Sequence, residues 1–142
     1  MSESPPHDPT AALNQVLSEV IDVVQDVKQA HRKVPETHAL HAELDLLLAD
    51  LRIWAQLLLD RDEALGVSPL ASISSVAGRT PPNLWPGDAT DEQVRELVDD
   101  HLARLEQHAA AAVAEQEDAT SRAALADVER GVLARRQALG EL

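Results

Sequence analysis

Apolar residues recur at helical spacing in four separate stretches of the chain. In the first stretch they fall on one stripe, as in an amphipathic helix: Leu13, Leu17, Val20, Val24 and Val27. Thr10 is a suitable N-cap for this helix. Proline disfavours helical geometry in the residue before it, so Pro35 predicts that the helix ends near Val34.

A second helix is predicted to begin within residues 35–37 and to run to about Leu65, where Gly66 ends it. Its main apolar stripe consists of Leu40, Leu44, Leu47, Leu51, Trp54 and Leu58. Further Leu and Ile residues at 46, 48, 53, 57 and 59 make the helix apolar over more than half of its circumference. A helix of an isolated four-helix bundle needs one buried face. The pattern therefore predicts that this helix also contacts a second chain.

Two more helices follow a long link rich in proline and glycine. Thr90 and Gln93 have the spacing of a capping box, which predicts a third helix from there to about Glu117. The fourth helix is expected from about Ser121 to Leu139, with Gly140 as its stop. A structureless link over residues 66–90 is unusual in a compact domain, so we expect a crossover that contains a short helix. The predicted fold class is all-α, a ferritin-like four-helix bundle over residues 10–142 after a disordered tail at 1–9.

Composition and charge exclude several classes of protein. The chain has no Cys, which excludes disulfides, thiolate zinc sites and cysteine nucleophiles. Its net charge of −13 argues against a protein that binds DNA directly by neutralising phosphates. The sequence contains no apolar run long enough to cross a membrane and does not begin like a signal peptide. A cytoplasmic location is therefore expected.

Polar residues recur along one face of the second helix at intervals of three, four and seven: His38, His41, Asp45, Arg52, Gln56 and Asp60. His41 and Asp45, one turn apart, can ligate one metal ion, and His38 can join them. Imidazole and carboxylate together suit Fe(II) and other divalent first-row metals. The alternative interpretation is a solvated helix face without a ligand.

The position of Asp60 suggests a site shared between two chains. Asp45 and Asp60 stand roughly 22 Å apart along one helix, so they cannot share an ion within one chain. If two copies of the helix cross antiparallel near residue 51, Asp60 of one copy approaches Asp45 of the other. His31, at the end of the first helix, can point into the same place. Each of two equivalent sites would then hold His31, His41 and Asp45 from one subunit and Gln56 and Asp60 from the other.

Several stretches resemble a known family in order and spacing. They are KQAH at 28–31, LHAELD at 40–45, LDRDEALGV at 59–67, RTPPNLWP at 79–86 and, more faintly, DATSRAALADVERG at 118–131. In these stretches the sequence resembles the Dps-type miniferritins, DNA-binding proteins from starved cells. The resemblance implies a homo-dodecameric shell that oxidises Fe(II) with hydrogen peroxide or oxygen and stores ferric iron, which protects against oxidative stress. It places His31, His41, Asp45, Gln56 and Asp60 at the five iron-ligand positions of a ferroxidase, with His31, His41, Asp45 and Asp60 as its catalytic residues.

Some positions depart from the family pattern. Gln56 is a neutral amide where the family has an acid, and Asp60 is one methylene shorter than the usual Glu. A tryptophan of the last helix is replaced near Gln137, and an acid that lines the pore for iron is replaced by Ala123. Two hypotheses therefore stay open, an active ferroxidase and a shell or binding protein with weak or absent oxidation. A helical bundle that forms only dimers is a third.

Two further expectations concern residues outside this site. His101 and His108 lie two turns apart on the third helix. Partly buried or interface histidines are the first interpretation of this pair, and a surface metal site is the second. Arg135 and Arg136, near the C-terminus, are expected to complement the dipole of the last helix.

Overall fold

The computed structural model describes residues 10–67 and 88–142, which form four α-helices. They are α1 (Ala11–Lys33), α2 (Ala39–Ala64), α3 (Asp91–Glu115) and α4 (Ala119–Gly140). The described part of the chain contains no strand. The all-α four-helix bundle predicted from the sequence is therefore confirmed, whereas the predicted tail at 1–9 and the short helix of the link lie outside the described residues.

The ends of the helices show which local signals were sufficient. The capping box of α3 is present: the Gln93 backbone N–H donates to Thr90 Oγ1 at 3.1 Å, and the Thr90 backbone N–H donates to Gln93 Oε1 at 2.9 Å. The predicted start of α2 is wrong, because residues 35–37 precede the helix and His38 is its N-cap. The Leu40 N–H donates to His38 Nδ1 at 3.1 Å.

Contacts at the helix ends give the directions of the helices. His38, which caps α2, and Asp91, which begins α3, approach to 3.7 Å between Nε2 and Oδ2. The two helices therefore begin at the same end of the bundle and run in the same direction. Arg61, near the end of α2, lies 3.0 Å from Asp118, just before α4, so α2 and α4 are antiparallel. The end of α2 and the start of α3 therefore lie at opposite ends of the bundle.

The core is built from leucine, valine and alanine side chains of all four helices. Its largest fully buried side chains include Leu13, Leu17, Leu40, Leu44, Leu47, Leu51, Leu58, Leu102, Leu105, Leu125 and Leu139. Trp54 packs among them against the backbone of Gly131 on α4. A Cβ atom at Gly131 would lie only 2.5 Å from the indole ring. The indole ring can therefore occupy this position only because residue 131 has no side chain.

One face of α2 lies outside the core along the whole helix. Its members share a face by helical periodicity and are all exposed: Ala42, Asp45, Leu46, Ala49, Arg52, Ile53, Gln56 and Asp60. We refer to these residues as the outer face of α2. Leu46 is 49% exposed and Ile53 is 63% exposed. Some of the additional apolar residues predicted for this helix are therefore exposed, next to the polar residues of the predicted site.

None of the helices within the two described segments is long and apolar enough to cross a lipid bilayer.

Candidate metal centre

The candidate metal centre lies where the last turn of α1 meets the first turns of α2. His31 is in the last turn of α1, and His41 and Asp45 lie one turn apart near the start of α2. A short turn connects the two helices, in which the His38 N–H donates to the Pro35 carbonyl at 3.0 Å. This turn places the end of α1 beside the beginning of α2.

The Asp45 carboxylate lies close to one nitrogen of each of the two imidazoles. Oδ1 is 2.7 Å from His31 Nε2, and Oδ2 is 3.7 Å from His41 Nδ1. The two rings are 3.9 Å apart between centroids and are tilted by 35°. One ligand atom from each of the three residues lies within 4.8 Å of the other two. The structure therefore brings together three of the five residues predicted to hold metal.

His31 Nε2 is the atom that best fits a metal ligand. It is buried and makes no hydrogen bond among the residues that the structure describes. Asp45 Oδ1 is within hydrogen-bond distance of it, but the geometry does not satisfy a hydrogen bond. A buried nitrogen without a hydrogen bond costs free energy, and a cation would satisfy it. Metal bonds of about 2.0–2.2 Å would draw three such donors to within about 3.5 Å of one another.

The centre is closed on one side and open on the other. The His31 and His41 side chains are largely covered, whereas the Asp45 side chain is 58% exposed. Two neutral imidazoles and one carboxylate suit a divalent first-row cation. These donors leave coordination positions free on the solvent side, where further ligands or a second ion can bind.

Gln56 and Asp60 lie elsewhere on the same helix. They are exposed on the outer face of α2, and Gln56 Nε2 donates to Asp60 Oδ1 at 2.8 Å. Asp60 stands roughly 22 Å along the helix from Asp45, so one chain does not place these two residues in the centre. His38 is also outside it, because its Nδ1 caps α2. The idea that His38 joins His41 and Asp45 is wrong.

The two histidines of α3 pair with acids of α1. His101 Nδ1 is 2.8 Å from Asp26 Oδ2, and His101 is 8% exposed. His108 Nδ1 is 2.5 Å from Glu19 Oε2, with the His108 side chain 61% exposed. The interpretation of His101 as a buried histidine is confirmed, whereas His108 is a surface residue paired across two helices.

Arg135 and Arg136 have a role that sequence reasoning missed. Neither arginine lies in the last turn of α4, so the expectation that they complement its dipole is wrong. Arg135 Nε donates to Asp50 Oδ2 on α2 at 2.6 Å. Arg136 Nε donates to Asp99 Oδ1 on α3 at 2.9 Å. Neighbouring residues project about 100° apart on a helix, so this pair can link α4 to both of its neighbours.

No family model matches the sequence, and no curated protein is significantly similar to it. A function for the chain is therefore inferred from its residues and from the geometry described above.

Proposed function

We propose that this chain is a miniferritin that binds Fe(II), oxidises it and stores the ferric product in a cytoplasmic homo-dodecameric shell. Iron is its substrate and cargo, and protection against oxidative stress is the benefit to the cell. The observation that carries the proposal is the convergence of His31, His41 and Asp45 from two helices. It brings together the three residues of one chain that the resemblance assigns to an iron site.

The outer face of α2 supports the shared part of the site. Leu46 and Ile53 are exposed there, and covering both would remove a substantial apolar area from water. A second copy that crosses antiparallel near residue 51 covers this face. The same crossing carries Asp60 and Gln56 of each copy to the His31 centre of the other. One symmetric contact thus buries the apolar residues and completes two sites.

The proposed reaction needs two Fe(II) ions and hydrogen peroxide. Each Fe(II) gives up one electron, and the peroxide takes two electrons and two protons and leaves as two water molecules. Carboxylates attract the trivalent product more strongly than the divalent substrate, so Asp45 and Asp60 favour oxidation. The net charge of −13 raises the local concentration of cations around the protein.

Anaerobic loading with Fe(II) followed by peroxide tests this function. The increase in ferric absorbance is recorded for the wild type and for His31→Ala and Asp45→Asn, and the particle size is measured on the same samples. We expect both variants to oxidise iron at least tenfold more slowly, because the first lacks a nitrogen ligand and the second lacks the negative charge of its ligand. Glu36→Gln is the matched control, since it removes an exposed carboxylate near α2 that lies outside the centre. A wild type that is no faster than buffer contradicts the proposed activity.

A shell with weak or absent oxidation is the second candidate. The contact that favours it is the hydrogen bond from Gln56 to Asp60. The Gln56 amide carries no negative charge. Its N–H group donates a hydrogen bond to Asp60 Oδ1, an oxygen that would otherwise be available to ligate iron. A particle of about twelve chains without oxidation above buffer identifies this candidate. A dimer as the final assembly contradicts both shell hypotheses.

A further inference from the structure

A groove between the first half of α1 and the second half of α3 holds donor groups that the proposed iron site does not use. It contains a cavity of about 250 Å3. The polar residues that line it are Gln15, Glu19, His108 and Glu115, and the others are three alanines and one valine. Such small apolar side chains fill little of the groove and leave room for a bound group.

The donors in the groove come from two helices. His108 Nδ1 on α3 lies 2.5 Å from Glu19 Oε2 on α1. Gln15 is one turn before Glu19 and therefore projects from the same face of α1. Glu115 is two turns, roughly 10 Å, after His108 on α3. It lines the groove and contributes negative charge there.

The charge of the groove also favours a cation. Two carboxylates and one imidazole line it, and its described lining includes no lysine or arginine. An imidazole nitrogen, carboxylate oxygens and an amide oxygen together are ligands that divalent first-row metals accept.

We propose that this groove is a second divalent-cation site, with His108 and Glu19 as its main ligands and Gln15 as a supporting donor. Glu19 lies 12 residues before His31 on α1, a separation of roughly 18 Å. The groove therefore cannot share an ion with the His31 centre of the same chain. The proposal goes beyond the proposed iron chemistry and does not depend on it.

Calorimetric titration of the chelator-treated full-length protein with Zn²⁺ tests the groove. We expect two ions per chain for the wild type and one for His108→Ala, whose substituted side chain is largely exposed. The His31→Ala/Asp45→Asn double variant should bind one ion, and adding His108→Ala should abolish that binding. The groove can also be supported without the His31 centre. In that outcome the wild type binds one ion, the double variant still binds it, and His108→Ala does not. Such a result would contradict the His31 centre as a metal site.

Two single substitutions distinguish binding in the groove from nonspecific binding to the acidic surface. Glu19→Gln should weaken the remaining site of the double variant at least tenfold. Glu96→Gln removes an exposed carboxylate of α3 outside the groove and should leave the affinity unchanged. The proposal is overturned if the double variant binds no Zn²⁺ more tightly than about 100 µM. It is equally overturned if His108→Ala leaves the number of bound ions unchanged, since the ion then lies elsewhere.

Discussion

At the scale of single residues, Gln56 limits the charge that the proposed iron site can offer. Gln56→Glu adds a carboxylate one turn from Asp60 on the outer face of α2 and removes the amide that donates to Asp60. We expect tighter Fe(II) binding and at least several-fold faster oxidation, measured by stopped-flow absorbance after peroxide is added. Gln107→Glu, an exposed change of the same kind on α3, is the control. Equal rates for the wild type and both variants would show that residue 56 does not contact iron.

Gly131 is a second residue with a measurable role, because its missing side chain makes room for Trp54. In Gly131→Ala the new Cβ would lie 2.5 Å from the indole ring unless the ring or the helix moves. Overpacking of this kind costs about 1–3 kcal/mol of the free energy of unfolding, which urea denaturation followed by circular dichroism measures. Gly140→Ala has nothing within 4 Å of its Cβ and should not destabilise the protein. Equal loss in both variants would contradict this packing.

At the scale of elements, Asp118 joins the start of α4 to the end of α2. Its carboxylate accepts hydrogen bonds from the Ser121 hydroxyl at 2.7 Å and the Ser121 N–H at 2.9 Å, and it pairs with Arg61 at 3.0 Å. These bonds and the Arg61 charge hold the pKa of Asp118 below its ordinary value. The folded state thus gains stability above the pKa of the unfolded chain, about 3.9, and loses it as pH falls through the lower folded pKa.

Substitutions of Asp118 should reveal this dependence in thermal unfolding. At pH 7 we expect Asp118→Ala to lower the midpoint by a few degrees, because α4 loses its N-cap and its link to α2. Asp118→Asn keeps an oxygen acceptor and should lose less. The difference between the wild type and Asp118→Asn should shrink as the pH is lowered below about 4. A difference that stays constant down to pH 2 would exclude the charge of Asp118 as its cause.

The helices were predictable where a short segment carries the whole signal. The Thr90 capping box fixed the start of α3, since both of its bonds join residues three apart. Pro35 misled the prediction for α2, because proline suits a first helical turn while His38 provides the actual cap. The partners of Arg135 and Arg136 were not predictable, since they depend on how α4 lies against its neighbours.

The residues of the candidate sites also divide into those that the local sequence predicts and those that it does not. His41 and Asp45 were predictable from their spacing of one turn, and the position of His31 at the end of α1 suggested that it joins them. The groove partners His108 and Glu19 are 89 residues apart in sequence, and no local pattern connects them. Gln56 and Asp60 can be tested as ligands only in an assembly of chains.

At the scale of the whole molecule, the outer face of α2 should control the size of the particle. Ile53→Glu places a charge in the proposed contact between copies, so we expect dissociation to smaller species in analytical ultracentrifugation. Iron oxidation should fall with it, although all five proposed ligands are unchanged. Leu133→Glu is the control, since Leu133 is an exposed apolar residue on α4 outside this contact. A particle of unchanged size in Ile53→Glu would place the contact between copies elsewhere.

The distance between the two halves of the proposed site along α2 has a consequence for newly made protein. A single chain would hold His31, His41 and Asp45 at one end of the helix, with Asp60 roughly 22 Å away. A chain that has not yet met a partner would therefore lack a complete oxidation site. Peroxide chemistry would begin only after chains associate, so its harmful by-products would not form on free subunits. Specific activity should accordingly rise with protein concentration and level off once association is complete.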